Sequence, residues 1–263
     1  MQTVGAASYQ VIVVDDGSVD DTPQIVARYP VTFIRQEHVG PGAARNRGAQ
    51  LALGDLLLFT DADCEPLPDW IEQMRVPFAD PTIAGAKGVY RTRQRSLVAR
   101  FVQAEHEEKY DRLAREGEID FVDTYAAAYR RSVFLAFGGF NTRFLRNQDQ
   151  EFSFRLAEAG HKMVFVPQAA VYHRHVTTVR RYAWRKVRTG RWKVRVHALH
   201  PSKAIRDSYT PWSQKLQIVL LPLILISLVA AFAGLLPWFL PLTLVLAGFL
   251  SVIPLMRKAV RQG

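Results

Sequence analysis

Residues 55–66, DLLLFTDADCEP, join an apolar strand to a pair of aspartates. The run LLLF is typical of a buried strand, and Asp61 and Asp63 stand two positions apart directly after it. In open α/β sheets, ligands bind where the strands end at their carboxyl edge. Hard Mg²⁺ or Mn²⁺ prefers one or two carboxylates together with phosphate oxygens, so the pair suits a divalent cation bound to a diphosphate. The spacing alone is not specific for that chemistry.

A second apolar strand also ends in acids. It lies in YQVIVVDDGSVDDT, residues 9–22, and leads into Asp15 and Asp16. Ser18 or Asp20 could cap a helix after this turn, so the turn alone leaves a capping role and a binding role open. The strand candidates alternate with helical stretches and lie at 9–14, 31–36, 55–60, 82–90, 124–129 and 162–167. This alternation predicts an α/β fold with a mostly parallel sheet covered by helices.

Positive charge is concentrated in a basic segment, residues 174–206. The chain has a formal net charge of +10 and is 49% hydrophobic, a composition that excludes a disordered chain. The basic segment contains eleven Lys and Arg and no Asp or Glu, so it accounts for the whole excess of positive charge. Its interleaved aromatic residues could indicate nucleic acid. Its position directly before an apolar run favours an amphipathic interfacial helix on anionic membrane lipids instead, and we expect no nucleic-acid partner.

The apolar run covers residues 216–256, which are 41 positions without a charged residue. Residues 216–236 would form a helix about 31 Å long, close to the ~30 Å hydrocarbon core of a bilayer. Residues 237–256 would form a helix that is nearly as long. Gly234 and Pro237 mark the junction, so we predict a C-terminal transmembrane helical hairpin. A buried hairpin of a soluble domain and a shallow re-entrant hairpin are the alternatives.

The residues around the apolar run predict how it is oriented. The two transmembrane helices are predicted within residues 215–256. Trp212 and Trp238 would lie at interfacial depth in the bilayer. The basic segment precedes the first helix, and a basic tail, 257–263, follows the second. The positive-inside rule then places both flanks in the cytosol. Residues 1–10 form no apolar run, so we expect no signal peptide. We expect an integral membrane protein with residues 1–205 at the cytoplasmic face of the plasma (inner) membrane.

Six segments of this sequence, taken in order, resemble the family 2 glycosyltransferases, which are inverting enzymes of the GT-A fold that use nucleotide-diphosphate sugars. They are VVDDGSVDDT (13–22), GPGAARNRGAQLALGD (40–55), LLLFTDADCEP (56–66), AAAYRRSVFLAFGGFNTRF (126–144), QDQEFSFRLAEAGHKMVFVP (148–167) and AAVYHRH (169–175). The resemblance spans residues 9–175. An ordered set of this kind is specific for the family and hardly at all for the sugar. It implies a GT-A domain, Rossmann-like and α/β, over residues 1–205.

The resemblance implies how the nucleotide sugar is held. Asp15 and Asp16 match the acidic turn that contacts the base and ribose of the nucleotide. Arg45 and Asn46 match the start of a helix that closes over the nucleotide. These residues are therefore expected to bind the nucleotide-diphosphate sugar.

The resemblance also implies a metal site. Asp61 and Asp63 match the DxD motif of the family, in which Asp61 contacts both the nucleotide sugar and the Mn²⁺ or Mg²⁺ cofactor. Some GT-A enzymes complete the coordination with a late histidine, and by motif order His173 is better placed for this role than His175. A surface or otherwise hydrogen-bonded histidine is the alternative. Cys64 has no base beside it, so we expect a small filler at the strand end.

Asp149 matches the catalytic acid of the family's ED motif, which deprotonates the acceptor hydroxyl, although Gln148 stands in place of the usual Glu. In-line attack with inversion needs a base on one side and a cation on the other, and Asp149 and Asp63 would fill these roles. The alternative for Asp149 is an exposed acid, which is favoured at the start of a helix. RTGRW, residues 188–192, resembles the QxxRW segment beside the acceptor channel of processive members, with Arg188 in place of Gln.

We therefore expect an inverting glycosyltransferase that moves a sugar from a nucleotide-diphosphate donor to a lipid-linked or polysaccharide (glycan) acceptor. Two alternatives stay open. One is a catalytically degenerate, membrane-bound partner that binds nucleotide sugar without turnover. The other is a phosphotransferase with Asp61 as its nucleophile, although Cys64 and Glu65 do not complete the DxDx[TV] pattern of the haloacid-dehalogenase enzymes.

The start of the chain departs from the family pattern. Family 2 domains usually begin with an apolar strand and a Pro/Tyr/Asn-bearing loop, ahead of the strand that leads into VDDGS. Here VVDDGS begins at Val13, and residues 1–8 lack the apolar alternation of a strand. Without that first strand, backbone groups of its neighbour would lack partners. We expect Met1 to be a late or misassigned start, with the missing strand encoded upstream.

Overall fold

A computed structural model describes residues 1–205, 207, 208, 210 and 212–261. The strands are β1 (Ile12–Asp15), β2 (Thr32–Arg35), β3 (Leu56–Phe59), β4 (Cys64–Pro66), β5 (Ile83–Arg91), β6 (Ala127–Arg130) and β7 (Lys162–His173). The helices are α1 (Thr22–Val26), α2 (Pro41–Leu51), α3 (Trp70–Arg75), α4 (Leu97–Leu113), α5 (Arg131–Ala136), α6 (Gln148–Glu158), α7 (Val179–Leu199), α8 (Pro201–Ile205), α9 (Trp212–Phe232) and α10 (Phe239–Arg261). Short 3-10 turns lie at Ala6–Ser8, Val76–Ala79 and Thr124–Ala126.

The strands form two sheets. Every strand candidate of the sequence overlaps one of these strands, and the α/β class is confirmed. β1 and β2 pair in parallel, and the other strands form a sheet in the order β3-β6-β5-β7-β4. In this larger sheet only β5 and β7 are parallel, whereas β3–β6, β5–β6 and β4–β7 are antiparallel. The expectation of a mostly parallel sheet is therefore wrong for the larger sheet.

A turn before β6 precedes the two antiparallel pairs that this strand makes, with β3 and β5. The N–H of Ile119 donates to the carbonyl of Met163 on β7, so the chain first runs beside the sheet. It then turns at the 3-10 turn Thr124–Ala126 and enters β6, which runs against both of its neighbours. The sequence TYAAAY was interpreted as one strand, but its first half is this turn.

The second half of β7 was not predicted, and it forms one edge of the site. After a register shift beyond Lys87, β5 pairs with β7 again, so that Val89 lies opposite Ala170. Gly88 lies at this shift, where a Cβ atom would come within 2.2 Å of the carbonyl oxygen of Ala169. Glycine therefore permits the close approach that lets β7 continue. β4, also not predicted, pairs with the extended end of β7.

Each face of the larger sheet has its own core. Alternate residues of β6 point to opposite faces, so Tyr129 packs in the first cluster and Ala128 in the second. The first cluster lies under α5 and α6 and is dominated by aromatic side chains: Phe59, Tyr129, Phe134, Phe140 and Phe152. The second cluster lies under α3 and includes Trp70, Met74, Tyr90, Tyr125 and Val171. Each fully buried phenylalanine stabilises the fold by about 2 kcal/mol.

The basic segment begins with a helix that packs on the domain through one face only. On α7, Trp192 and Val196 pack in a cluster with Phe121, Phe144 and Phe154. The hydroxyl of Tyr182 donates to Glu105 on α4 at 2.9 Å. The opposite face exposes apolar residues between its arginines, namely Trp184, Val187 and Val194. The helix is therefore amphipathic, as the sequence predicts for this segment.

α9 and α10 pack against each other as a hairpin. By length and composition, Gln214–Phe232 and Phe239–Arg261 could each cross a membrane. Their apolar side chains are mostly exposed, which does not fit the buried hairpin of a soluble domain. α9 ends before Gly234, which has φ +72°, and α10 begins after Pro237. Trp238 is exposed and contacts Phe232, whereas the side chain of Trp212 lies outside the described residues.

The end of α10 packs on α4 in the polar domain. Leu255 and Ala259 are buried against Ala104 and Phe101. The ammonium group of Lys258 lies 3.3 Å from a carboxylate oxygen of Glu107 and 3.1 Å from one of Asp111. The polar domain and the apolar hairpin are thus in direct contact, and the predicted boundaries at 205 and 215 stay predictions.

β1 has a strand partner on one edge, β2, within the residues that the structure describes. One face of β1 packs on α2, because a Cβ atom added at Gly48 of α2 would lie only 3.4 Å from Cγ2 of Val14. The upstream strand expected beside β1 stays a prediction.

Candidate active site

The DxD aspartates lie where the sequence places them, directly after β3. Ligand atoms of Asp61, Asp63 and Cys64 lie within 4.8 Å of one another. Burial, together with the negative charges of the two aspartates, raises the pKa of the Cys64 thiol to about 12. Hard cations such as Mg²⁺ and Mn²⁺ also prefer oxygen ligands to sulfur. The two carboxylates are the stronger donors of this group.

His173 joins the DxD pair because β4 and β7 are adjacent. Cys64 and His173 are register partners in these two strands. Nε2 of His173 lies 3.2 Å from Oδ2 of Asp63, and its ring stacks on Tyr90 with the centroids 4.6 Å apart. Two carboxylates and a nitrogen ligand form a donor set that a hard divalent cation accepts. His173 lies next to Asp63, whereas the group whose ligand atoms all lie within 4.8 Å of one another holds Cys64 and not His173. The shared metal role of Asp61, Asp63 and His173 stays a prediction.

Arg45 connects the metal residues with Asp149. Its guanidinium donates to Oδ1 of Asp61 at 2.6 Å, and its positive charge also acts on the carboxyl group of Asp149. Nη1 of Arg45 is buried without a hydrogen-bond partner among the described residues. An unpaired buried donor in a binding cleft is a position where a ligand oxygen would fit.

Asp149 lies at the first turn of α6 and is partly buried. Oδ1 accepts from the N–H of Gln150 at 2.9 Å, and Oδ2 accepts from that of Thr124 at 3.4 Å. Burial raises the pKa of Asp149 above the usual 3.8, while Arg45 and these N–H groups act in the opposite direction. A carboxylate with a raised pKa is a better proton acceptor, so the exposed helix-start acid is not the environment found here.

Asp15 and Asp16 organise the loop at the end of β1. Oδ1 of Asp15 accepts from the N–H of Ser18 at 2.9 Å, and Arg35 lies 3.3 Å from its other oxygen. The carboxylate of Asp16 accepts from the N–H groups of Val39 at 3.0 Å and Gly40 at 2.8 Å, just before α2. Hydrogen bonds lower the pKa of both groups, so both are ionised at neutral pH. Within the described residues neither is hydrogen-bonded to the DxD pair, and their nucleotide contacts stay predictions.

Asn46 holds two parts of the site together. Its Nδ2 donates to the carbonyl of Phe140, and its Oδ1 accepts from the N–H of the same residue, both at 2.8 Å. Gly139, with φ +66°, lies so close that a Cβ atom there would come within 2.5 Å of Oδ1. Asn46 thus joins α2 to the loop that precedes Asp149, and its contact with the nucleotide stays a prediction.

A buried polar network behind the site was not predicted from the sequence. Lys87 on β5 is fully buried, forms an ion pair with Asp123 and lies 3.3 Å from the hydroxyl of Tyr125. That hydroxyl lies 2.8 Å from the hydroxyl of Tyr110. Burial lowers the pKa of Lys87, whereas the charge of Asp149 raises it. The lysine inside the otherwise apolar run TIAGAKGVY was the signal that could have revealed this network.

The comparison with protein families identifies the chain. The model of "Glycosyl transferase family 2" matches residues 4–137. The chain belongs to glycosyl transferase family 2. The expected family is thus confirmed, and the DxD pair lies within the matched region, whereas Asp149 and His173 lie beyond it.

Known proteins agree with the family assignment. A pre-mycofactocin glycosyltransferase of Mycobacterium tuberculosis is 32% identical over 206 residues, which are 74% of this chain and 43% of the relative. The O-antigen chain rhamnosyltransferase WbaN of Salmonella anatum is 28% identical over 204 residues, which are 73% of this chain and 64% of the relative. The family 2 chain thus spans less than two thirds of the length of either relative.

A solved structure shows the fold of the chain. The mannosyltransferase PcManGT from Pyrobaculum calidifontis, solved in complex with GDP-Man and Mn²⁺, superposes with a TM-score of 0.61 at 20% sequence identity. The match covers 99% of this chain and 79% of the mannosyltransferase. The fold of this family 2 chain is therefore the GT-A fold of nucleotide-sugar transferases, with a mixed sheet.

Proposed function

We propose that the protein transfers a sugar from a nucleotide-diphosphate donor to an acceptor hydroxyl with inversion at the anomeric carbon. The observation that carries this proposal is the arrangement around Arg45. Its guanidinium binds Asp61 of the DxD pair at 2.6 Å, and its charge acts on the partly buried Asp149. A cation-binding group and a basic carboxylate in one cleft meet the needs of in-line displacement.

Asp149 is the base of this reaction. Its carboxylate accepts the proton of the acceptor hydroxyl as the acceptor oxygen bonds to the anomeric carbon. The bond from that carbon to the diphosphate breaks, and its electron pair leaves with the nucleoside diphosphate. The N–H groups of Gln150 and Thr124 hold the carboxylate, so that its orientation is set before the acceptor binds.

Asp61, Asp63 and His173 would hold the divalent cation, either Mn²⁺ or Mg²⁺. When bound, this cation would neutralise charge that develops on the leaving diphosphate. Both relatives in the comparison are named as glycosyltransferases, and PcManGT was solved with GDP-Man and Mn²⁺. The unpaired Nη1 of Arg45 supports a further contact with an oxygen of the donor.

Nucleotide recognition is the proposed task of the loops around β1 and α2. The ionised carboxylates of Asp15 and Asp16 would accept hydrogen bonds from the base and ribose. Asp16 and Asn46 already hold these loops through backbone contacts with Gly40 and Phe140, so changes to them would also move the loops. This double role agrees with a rigid cleft for the nucleotide.

The acceptor is proposed to be a lipid-linked or polysaccharide glycan presented at a membrane. α7 lies next to the loop that leads to Asp149, because the rings of Trp192 and Phe144 are 5.7 Å apart. The exposed apolar and arginine-rich face of the same helix suits anionic membrane lipids. α9 and α10 would anchor the chain, with the basic flanks at the cytoplasmic face.

Product analysis tests the proposed reaction. The full-length protein is incubated with Mn²⁺, a panel of nucleotide-diphosphate sugars and membrane extract as the acceptor source. Release of nucleoside diphosphate with a new glycoside of inverted configuration is the expected result. Release of inorganic phosphate would point to a phosphotransferase, and binding of a donor without any product would point to a degenerate partner. Either outcome would overturn the proposal.

Membrane washing tests the anchor separately. The full-length chain should stay in the membrane fraction after a high-salt wash, which removes proteins held by charge alone. A chain that ends at Ser208 should be largely released. Recovery of the full-length chain in the salt supernatant would show that α9 and α10 are not a membrane anchor.

A further inference from the structure

His175 has no role in the proposed reaction, yet both of its ring nitrogens are engaged. The residue is only 3% exposed. Its Nδ1 lies 3.1 Å from Nδ1 of His173, and its Nε2 lies 2.9 Å from Oε1 of Gln103 on α4. His173 in turn presents Nε2 to Asp63. The three side chains thus form a continuous chain from α4 to the metal residues.

The direction of this hydrogen-bond chain is fixed at Gln103. Its Nε2 donates to the carbonyl of Tyr90 at 3.0 Å and to a carboxylate oxygen of Glu107 at 3.3 Å. A flipped amide would place Oε1 against two acceptors, so Oε1 must face His175. Nε2 of His175 therefore carries a hydrogen and donates it to Gln103.

Of the two facing Nδ1 atoms, one carries a hydrogen and the other accepts it. A histidine that ligates a metal through Nε2 needs a lone pair there, so a neutral His173 carries its hydrogen on Nδ1. Nδ1 of His175, 3.1 Å away, is placed to accept that hydrogen. With this assignment every donor in the chain meets an acceptor. Nε2 of His173, with its lone pair, then lies 3.2 Å from Oδ2 of Asp63, so two acceptors face one another where a cation would bind both.

We infer that Gln103 and His175 are positioning residues that hold His173 in the Nδ1–H tautomer, ready to ligate the divalent cation through Nε2. The inference rests on the metal site of the proposed function. Outer partners of this kind orient a ligating histidine and fix its tautomer. Tyr90, stacked on the ring of His173, and the pairing of β4 with β7 restrict the ring further.

The test measures Mn²⁺ binding directly, by electron paramagnetic resonance of free Mn²⁺ with the full-length protein in detergent. His175→Leu removes the acceptor for His173 and should weaken Mn²⁺ binding by about 10- to 100-fold. Gln103→Leu should weaken it less, because His175 can still accept. His175→Asn should restore most of the affinity, since its Oδ1 lies close to the place of Nδ1.

A matched control is available at His106, whose ring stacks on that of His175 with the centroids 5.7 Å apart. His106→Phe keeps a stacked ring and leaves the hydrogen-bond chain intact, so Mn²⁺ affinity should stay at the wild-type value. A purely structural role of this region would make His106→Phe and His175→Asn as harmful as His175→Leu. That pattern would overturn the inference.

The tautomer itself can be read from ¹⁵N chemical shifts of the histidine rings with diamagnetic Mg²⁺ present, because without a cation the carboxylate of Asp63 would favour a hydrogen on Nε2. We expect His173 to carry its hydrogen on Nδ1 in the wild type and to lose this preference in His175→Leu. Two outcomes would overturn the inference but leave the proposed metal site standing. One is a wild-type His173 with its hydrogen on Nε2, and the other is wild-type Mn²⁺ affinity in both leucine variants. No Mn²⁺ binding by the wild-type protein would instead overturn the metal site of the proposed function.

Discussion

The metal side of the site and its base side are built in different ways. On the metal side, the side chain of Asp63 is 68% exposed and is held only by His173 and a long contact from Cys64 within the described residues. On the base side, the carboxylate of Asp149 is partly buried and accepts two backbone N–H groups. The base is therefore oriented by the protein alone, whereas the metal side is completed when cation and diphosphate bind.

The surroundings of the two sides differ in the same sense. The loop before Asp149 is fastened by Asn46 to the backbone of Phe140, and the tight packing at Gly139 leaves no room for a side chain. The metal side depends instead on a strand pairing of three residues, from Cys64 to Pro66. We expect ligands to order the metal side more than the base side.

The largest effects should come from the carboxylates themselves. Asp63→Ala should abolish turnover together with Mn²⁺-dependent binding of UDP or GDP, because it removes a metal ligand. Asp149→Asn should lower kcat by about 10²–10⁴ and leave nucleotide binding intact, because it removes only a base. Steady-state kinetics and calorimetry check both variants. Equal loss of nucleotide binding in the two variants would show that the two sides are not separate.

Gly139→Ala should damage the framework of the base side. The residue has φ +66°, and its new Cβ atom would meet Oδ1 of Asn46, so we expect a loss of about 3 kcal/mol in unfolding free energy. Gly138→Ala is the matched control, because Gly138 has φ +73° but no atom within 4 Å of the Cβ position. The control should lose only about 1 kcal/mol. Denaturant unfolding in detergent measures both, and similar losses would contradict the packing argument.

The pH dependence of kcat should report the environment of Asp149. Turnover needs the ionised carboxylate, so kcat should fall as the pH drops through a pKa above the usual 3.8. Arg45→Gln removes a positive charge that lowers this pKa, so the acid limb of the profile should move to higher pH. A limb that moves to lower pH, or does not move, would show that another group is the base.

The smallest effect should come from the contact between α4 and α10. Lys258→Ala removes the ion pairs with Glu107 and Asp111, which are partly exposed and should contribute only about 0.5–1 kcal/mol. Arg257→Ala is the control, because Arg257 is exposed and has no ion pair among the described residues. The difference between their unfolding midpoints measures the contact, and it should shrink at high salt.

Local sequence patterns predicted the parts of the site that follow a strand or begin a helix. Asp61, Asp63 and Asp149 lie where strand ends and helix starts predict them, because these positions depend on a few neighbouring residues. His173 was placed by its motif order, although β4, which brings it to Asp63, is too short to give a periodic pattern. The pairing of β4 depends on residues more than 100 positions away.

The antiparallel strands and the buried network escaped prediction for a related reason. β6 directly follows the 3-10 turn Thr124–Ala126, and nothing in the alanine-rich run separates this turn from the strand. The network of Lys87, Asp123 and Tyr125 joins side chains more than 30 positions apart, so that no local spacing reveals it. Burial of a lysine is intelligible only when its partners are known.

The packing of α10 on α4 fixes how far the catalytic cleft stands from the bilayer, given the proposed anchor. α10 continues without a break from its apolar part to Arg261, and its last turns are buried against Ala104, on the helix that also carries Gln103. In the proposed arrangement the site would have a set height and tilt, and a membrane-attached acceptor would be selected by the distance between its membrane attachment and its reacting hydroxyl. Such a length preference would vanish when the same acceptors are offered free in detergent.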